Sequence, residues 1–160
     1  MNNFFSCIIK EEYGGKDLNV AELSSILTRI SSNNPALGVV VMVPNSLGPG
    51  ELLQQYGTKE QKERYLPKLA NGELIPCFGL TGPNNGSDAT GSIDEGEIVI
   101  NSKNEKVIRV TVNKRYITLG PVANLIGLAF RVIDPHNIIV SDSIKEEYDT
   151  TTSYPQEGVT

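Results

Sequence analysis

The hydrophobic pattern of this chain changes once, near Ile75, and that change limits its fold more than any other feature. Before it, apolar residues recur at the spacing of one helical face, as at Leu23, Ile26, Leu27 and Ile30. After it, short runs of β-branched residues alternate with polar residues, as half-buried strands do. The order predicts an α+β fold in which helices are followed by a small antiparallel β unit.

Local signals set the first helix ends. The first helix is expected to stop at SSNNP, residues 31–35. The apolar stretch 36–43 predicts a buried helix that meets a proline. Residues 51–56 predict a shorter helix, with Gly57 as its C-terminal cap.

The next helix opens with a capping box, because Thr58 and Gln61 are three residues apart. Its apolar side is formed by Tyr65, Leu66 and Leu69. Pro67 lacks a backbone N–H and is expected to interrupt this helix, and Gly72 is expected to end it. These helices predict a partial α-helical domain over residues 1–74.

Strand candidates follow. Residues 75–80 form the first, and residues 97–100 and 106–112 flank a five-residue turn and predict a hairpin. The hairpin residues expected to face the core are Ile108, Val110 and Val112. The apolar stretch 125–134 predicts one buried strand. Together they predict a partial β domain over residues 75–140.

Bulk composition narrows the function. Hydrophobic residues make up 39% of the 160 residues and charged residues 21%, which is ordinary for a globular domain. The net charge of −5 and the absence of a Lys/Arg cluster argue against nucleic acid as a partner. The acidic stretch 141–160 has few large aliphatic residues, so a poorly ordered tail is expected there.

Cys7 and Cys77 have neither CxxC spacing nor a histidine nearby, so no metal site is predicted. The start of the chain lacks a basic segment followed by an apolar core, so no signal peptide is predicted. The longest apolar run, 36–43, is too short to span a bilayer. We therefore expect a cytoplasmic protein, with membrane association of a longer form left open.

The segment CFGLTGPNNGSDATGS, residues 77–92, contains four glycines and no Lys, Arg or His. Its backbone N–H groups suit an anion, and a disordered surface turn fits the same composition. No lysine follows Gly86, which excludes a Walker phosphate loop. Asp88 is expected to anchor the turn by accepting hydrogen bonds. The single histidine, His136, lies in a predicted surface turn, which argues against a serine-hydrolase triad.

A second element, NKRYITLG, places Tyr116 and Thr118 on one face of a predicted strand. An aromatic ring and a hydroxyl, added to backbone N–H groups at Leu80 and Thr81 and to the Ser87 hydroxyl, suit a flat heteroaromatic cofactor. Taken alone, Tyr116 and Thr118 are better explained as ordinary strand residues.

The order of these motifs resembles the acyl-CoA dehydrogenase family, and in particular the large bacterial acyl-CoA dehydrogenases of fatty-acid β-oxidation. The segment IIKEEYGG is similar to the start of that family's helical domain, and YGTKEQKERYLP is similar to its turn and helix before the β domain. LTGPNNGSD is similar to the family's T-E-P-x-x-G-S-D signature, and NKRYITLGPVANLIGLAFRVIDP continues the match. The resemblance covers about residues 4–137 and implies a barrel-like middle β domain.

The resemblance implies an FAD-dependent enzyme that oxidises a saturated fatty acyl-CoA to the trans-2-enoyl-CoA. It implies a flavin bound by Phe78, Leu80, Thr81, Ser87, Tyr116, Ile117 and Thr118. Leu80 and Thr81 would serve the pyrimidine side of the flavin, and Ser87 would approach both the pyrophosphate and the acyl-CoA. Tyr116 would replace the family's usual tryptophan on the isoalloxazine, and Thr118 would lie near N5.

The chain also departs from the family pattern. Gly82 stands where the family has an acidic residue, which is expected to alter the loop more than to abolish binding. The family's catalytic glutamate belongs to a C-terminal helical bundle that is expected to be absent here, so no residue is predicted as catalytic base. The resemblance further implies an electron acceptor and a homo-oligomer for the full enzyme. Three hypotheses stand: part of an enzyme, a non-catalytic flavin or acyl-CoA-binding module, and an inactive truncated product.

Overall fold

A computed structural model describes residues 4–45, 48–91 and 94–139. Its helices are α1 Val20–Asn33, α2 Pro35–Met42, α3 Pro49–Tyr56 and α4 Lys59–Ala70. Its strands are β1 Pro76–Gly79, β2 Glu95–Ile100, β3 Lys106–Val110, β4 Leu125–Leu128 and β5 Arg131–Ile133. Helices followed by a small sheet region confirm the predicted α+β class. The tail predicted over residues 141–160 lies outside the described residues.

The chain divides into two compact units. The helical unit comprises Met1–Gly79 and Ile117–Leu128, and therefore holds α1 to α4 with β1 and β4. The hairpin unit comprises Leu80–Tyr116 and Ala129–Thr160, and holds β2, β3 and β5. The chain passes from one unit to the other three times. The predicted division at residues 74 and 75 stays a prediction.

Asparagine caps explain where the first two helices begin. Asn19 Oδ1 accepts the N–H of Ala21 at 2.9 Å and of Glu22 at 3.1 Å, and the Glu22 carboxylate accepts the Asn19 N–H at 2.9 Å. Asn34 caps α2, with Pro35 as the first helical residue. The first helix thus stops at SSNNP, as predicted, because that segment begins the next helix.

The capping box of α4 is confirmed. Thr58 Oγ1 accepts the Gln61 N–H at 3.3 Å, and Gln61 Oε1 accepts the Thr58 N–H at 2.9 Å. The prediction that Pro67 interrupts the helix is wrong, because α4 continues through it to Ala70. Pro67 still lacks the N–H that would bond the carbonyl four residues earlier and its ring crowds that carbonyl, but only one helical turn follows it. Gly72, with φ +79°, follows the helix end as predicted.

Gly57 is the C-terminal cap of α3, but it does not adopt the left-handed conformation common at such glycines. Its φ is −65°, and its N–H donates to Leu53 O at 3.0 Å. A Cβ at this position would lie 2.5 Å from the same oxygen. The close backbone approach therefore requires glycine here.

The core of the helical unit is formed by Ile9, Leu66, Leu69 and Ala70, all at most 3% exposed. Partly buried hydrophobic side chains surround it, namely Tyr13, Leu53, Leu74 and Leu125. Burial of these apolar side chains is the main favourable term for this unit.

The prediction that the helix over 36–43 is buried is only partly correct. The helix forms as α2, yet Leu37, Val39 and Met42 are 42–49% exposed, while Gly38 and Val41 are buried. A short helix that is apolar on every side leaves one face outward when it packs on a single neighbour. Leu37 and Val41 line an apolar cavity of about 410 Å³ together with residues of α1.

The helical stretch Pro35–Tyr56 is long and apolar enough, by length and composition alone, to cross a membrane. However, 44% of its most apolar 18-residue window is buried inside the protein, and the stretch includes α2, a 3-10 turn at Val43–Asn45 and α3. A core helix of a globular protein passes the same test, so this stretch is weak evidence for a span.

The strands pair differently from the predicted antiparallel, barrel-like arrangement. The hairpin of β2 and β3 is antiparallel as predicted, with Ile98 opposite Ile108. In the described residues the other two pairings are parallel, β1 with β4 and β2 with β5. Parallel partners are joined by long connections, which local sequence patterns do not reveal.

The single strand predicted over 125–134 is also wrong. The stretch splits into β4 and β5, which belong to different sheets, and Ile126 is 57% exposed. Ile108 was expected to face the core but is 48% exposed, because β3 lies at the edge of its sheet among the described strands. Val110 and Val112 are partly buried.

Candidate functional site

The glycine-rich segment after β1 folds back on itself within the hairpin unit. The Gly82 N–H donates to Asn85 Oδ1 at 2.9 Å and lies 3.3 Å from Asn85 O. The Asn85 amide in turn donates to Leu80 O at 3.3 Å, and Asn85 is only 8% exposed. A buried asparagine amide therefore closes this turn.

Asp88 has the anchoring role that the sequence predicted. Its Oδ1 accepts the Gly91 N–H at 3.1 Å and the Thr90 hydroxyl at 3.1 Å. These two bonds hold the 3-10 turn Ala89–Gly91, so the carboxylate is engaged within its own segment.

The sequence reasoning missed a lysine that reaches this segment from a distance. Lys114 Nζ lies 2.5 Å from Asp94 Oδ2 and donates to Leu80 O at 3.1 Å. The Lys114 side chain is 7% exposed and that of Asp94 is 12% exposed. The register of the predicted hairpin is the signal that could have found this pair, since Gly96 lies opposite Val110. Continuing that register brings the residue before β2 near the residues after β3.

A backbone hydrogen bond fixes the same two segments to each other. The Arg115 N–H donates to Thr81 O at 2.9 Å. Together with the Lys114 bond, it sets residues 113–115 beside Leu80 and Thr81. Within the hairpin unit, the structure thus brings the Tyr116-bearing segment to the start of the glycine-rich segment.

The predicted strand around Tyr116 and Thr118 is wrong. β3 ends at Val110, and Tyr116 has φ +60°, a left-handed conformation that breaks an extended run. Thr118 lies in a turn in which the Gly120 N–H donates to Ile117 O at 2.9 Å. The argument that residues two apart share a strand face does not apply. The Tyr116 side chain is 88% exposed.

The remaining predicted site residues fall in both units. Phe78, Ile117 and Thr118 belong to the helical unit, and Leu80, Thr81, Ser87 and Tyr116 to the hairpin unit. Phe78 is a partly buried residue of β1 opposite Gly127 of β4. Ser87 and Thr118 are exposed, and Thr81 and Ile117 are partly buried. The role of each in binding stays a prediction.

The two cysteine thiols and His136 do not form a reactive or metal-binding cluster in the described part of the chain. Burial raises the pKa of the Cys7 and Cys77 thiols, which therefore stay protonated and poorly nucleophilic at neutral pH. His136 lies in the predicted turn, where the Asn137 N–H donates to Asp134 O at 3.2 Å. Within residues 4–45, 48–91 and 94–139, His, Cys, Asp and Glu do not form a group of three that could hold a metal ion.

Known proteins are similar to this chain in sequence and in fold. Residues 1–73 match the family model of the acyl-CoA dehydrogenase N-terminal domain. An acyl-CoA dehydrogenase of Bacillus subtilis is 36% identical over 117 residues, which are 73% of this chain and 29% of that protein. The mitochondrial very long-chain specific acyl-CoA dehydrogenase of Macaca fascicularis is 33% identical over 143 residues, 88% of this chain and 21% of that protein.

The fold of this chain is also similar to that of a solved acyl-CoA dehydrogenase structure. The acyl-CoA dehydrogenase of Bacillus anthracis, complexed with FAD, superposes with a TM-score of 0.70 at 25% identity, covering 81% of this chain and 22% of that one. The fold is therefore shared with part of an acyl-CoA dehydrogenase. This chain belongs to the acyl-CoA dehydrogenase family. It spans about a fifth to a third of the length of the relatives that it matches.

Proposed function

We propose that this chain carries flavin-binding and acyl-CoA-binding residues of an enzyme that oxidises a saturated fatty acyl-CoA to the trans-2-enoyl-CoA. Its family and the FAD in the Bacillus anthracis relative support the proposal. The observation that carries it is the Arg115 N–H···O Thr81 bond of 2.9 Å. That bond sets the segment leading to Tyr116 beside the backbone of the family-like signature.

The hairpin unit fits a ligand that is flat and aromatic at one end and anionic at the other. Tyr116 offers a ring that is 88% exposed, and stacking on such a ring needs an open face. Ser87 offers an exposed hydroxyl in a segment of small residues, where backbone N–H groups are accessible to an anion. The Lys114 charge is already matched by Asp94. The pyrophosphate would therefore be held by neutral donors.

The binding role proposed for each residue follows the family pattern. When bound, FAD accepts a hydride from the β-carbon of the acyl-CoA. In the hairpin unit, the Tyr116 ring would stack on the isoalloxazine, the Leu80 and Thr81 N–H groups would bind its pyrimidine side, and Ser87 would donate to the pyrophosphate and contact the acyl-CoA.

The family resemblance assigns three further residues to a flavin: Thr118 through its hydroxyl, and Phe78 and Ile117 through apolar contacts. No carboxylate of the described residues is assigned as the base that removes the α-proton.

The wider assignment belongs to the same proposal. The substrate would be a fatty acyl-CoA, and a separate electron acceptor would reoxidise the cofactor. We further propose a cytoplasmic location and, for the full enzyme, a homo-oligomer. The alternative function is a non-catalytic module that binds flavin or acyl-CoA, for which no base is needed.

The test is a visible absorbance spectrum of the purified chain after incubation with FAD and desalting, repeated after addition of a long-chain acyl-CoA. A retained flavin band that bleaches with acyl-CoA supports the dehydrogenase. A retained band that does not bleach supports the binding module. Absence of a retained band contradicts flavin binding by this chain and favours an inactive product.

Matched variants make the spectrum specific to the site. Tyr116→Ala removes the exposed ring and is expected to weaken FAD binding about tenfold, since stacking on one aromatic contributes about 1–3 kcal/mol. Tyr56→Ala removes a ring of similar exposure, 79%, from α3 and is expected to leave FAD binding unchanged. Equal loss in both variants would show that the effect is not local to Tyr116.

A further inference from the structure

We propose that Lys114 is a positioning residue for the flavin, an inference that rests on the proposed flavin-binding function. Its ammonium group joins three parts of the hairpin unit. It pairs with Asp94 at 2.5 Å just before β2, donates to Leu80 O at 3.1 Å, and belongs to the segment that leads to Tyr116.

The burial of this group gives the interaction its strength. An ion pair between exposed side chains is worth little, because water and salt screen it. Here the side chains are 7% and 12% exposed, so the bonds are shielded and their directions are well defined. Since Asp94 already matches its charge, Lys114 holds the protein together and does not meet the anionic part of a ligand.

The bond to Leu80 O also sets the direction of a donor. The carbonyl of Leu80 and the N–H of Thr81 belong to one planar trans peptide, so fixing one fixes the other. Leu80 O accepts from Lys114 Nζ and, at 3.3 Å, from the Asn85 amide. Thr81 O is held in turn by the Arg115 N–H at 2.9 Å. Lys114 therefore aims the Thr81 N–H, one of the two backbone donors assigned to the flavin.

The same lysine supports the aromatic partner. Tyr116 has φ +60°, which is uncommon for an aromatic residue and persists only where neighbouring contacts hold it. The contacts of Lys114 and Arg115 lie immediately before it in the chain. Loss of the lysine is expected to release both the Thr81 donor and the Tyr116 ring.

The test compares FAD dissociation constants of the full chain, measured by quenching of flavin fluorescence, with thermal midpoints of the same samples. The variants are Lys114→Met, Lys114→Arg, the double variant Lys114→Met with Asp94→Asn, and the control Lys103→Met in the exposed hairpin turn. We expect Lys114→Met to weaken FAD binding at least tenfold, Lys114→Arg to restore most of it, and Lys103→Met to change nothing.

The double variant separates positioning from stability. It removes the negative charge that Lys114→Met leaves without its lysine, so the thermal midpoint is expected to recover. FAD binding is expected to stay weak, because the donor to Leu80 O is still missing. Recovery of both quantities, or equal FAD binding by Lys114→Met and Lys103→Met, overturns the proposal.

A second measurement decides the case in which the unmodified chain does not bind FAD. That result contradicts the proposed function, and amide hydrogen exchange without ligand then tests the lysine by itself. Faster exchange at residues 80–82 and 113–116 in Lys114→Met and in the double variant, relative to Lys103→Met, supports the positioning role. Unchanged exchange overturns it.

Discussion

The helical unit is stabilised mainly by apolar burial, and the hairpin unit depends more on a nearly buried ion pair and hydrogen bonds. Among the described residues, the buried hydrophobic side chains of the hairpin unit are Ile98 and Ala129, whereas the helical unit buries the cluster of Ile9, Leu66, Leu69 and Ala70. What distinguishes the hairpin unit is the nearly buried ion pair of Lys114 and Asp94, since each unit has a buried asparagine amide, Asn85 here and Asn45 in the helical unit.

The difference teaches where exact geometry comes from. Apolar burial is non-directional and tolerates small displacements of the groups involved. Charge-assisted hydrogen bonds fix both a distance and an angle. A segment that must present backbone donors to a ligand gains from the second kind of interaction, and the glycine-rich segment of the hairpin unit has it.

The largest effect is expected in the apolar cluster. Leu66 is 0% exposed, so Leu66→Ala leaves a cavity and is expected to lower the free energy of unfolding by about 4 kcal/mol. Leu37→Ala, at a side chain 49% exposed, is expected to cost less than about 1 kcal/mol. Urea denaturation followed by circular dichroism measures both. Similar losses would show that Leu66 is not part of a closed core.

The second-largest effect on stability is expected at the ion pair of Lys114 and Asp94. Lys114→Met removes the cation that balances the charge of the nearly buried Asp94 carboxylate, which is expected to cost about 3 kcal/mol in unfolding free energy. Adding Asp94→Asn is expected to recover more than half of that loss, because the uncompensated charge is gone. The same denaturation experiment applies. If the second change brings no recovery, the carboxylate is not the source of the cost.

A smaller effect is expected where a glycine meets the asparagine amide. A Cβ on Gly82 would lie 2.5 Å from Asn85 Oδ1 and 3.3 Å from Asn113 O, so Gly82→Ala is expected to cost about 2 kcal/mol. Combined with Asn85→Ala, the added cost of Gly82→Ala is expected to fall by about 1 kcal/mol, a coupling of neighbouring sites. Gly86→Ala is the control, since nothing lies within 4 Å of its Cβ. Strict additivity in the double variant would contradict the contact.

The smallest effect concerns the helix cap. Thr58→Ala removes the acceptor of the Gln61 N–H and is expected to cost about 1 kcal/mol. Thr28→Ala, within α1, is expected to be neutral or slightly stabilising, because alanine favours helix interiors. Thermal unfolding of the two variants gives the comparison. Equal shifts in both would mean that the cap contributes nothing.

Signals within a few residues were sufficient for the helices. The apolar stripe of α1 and the Thr58–Gln61 box depend on contacts three or four residues apart, and both are present. The hairpin of β2 and β3 is nearly as local and is also present. Pro67 misled the prediction because its helix was already close to its end.

Long-range contacts and an unusual backbone conformation were not predictable from local sequence patterns. The parallel pairing of β1 with β4 joins segments far apart in the chain, and no periodicity encodes it. Tyr116 was assigned to a strand, where residues two apart share a face, yet its backbone is left-handed. Lys114 was not singled out in the sequence, so its pairing with Asp94 went unpredicted.

The parallel pairing has a consequence for synthesis. Asn124 donates to Glu73 O and accepts from the Ile75 N–H, and Ile75 and Asn124 are 49 positions apart. A growing chain therefore completes α1 to α4 long before the partner of β1 has been translated. Until β4 has been translated, the edge of β1 that pairs with it stays unpaired, although the helices before β1 can already form. Slower translation after residue 80 would lengthen that exposed interval and, with it, the demand for a chaperone.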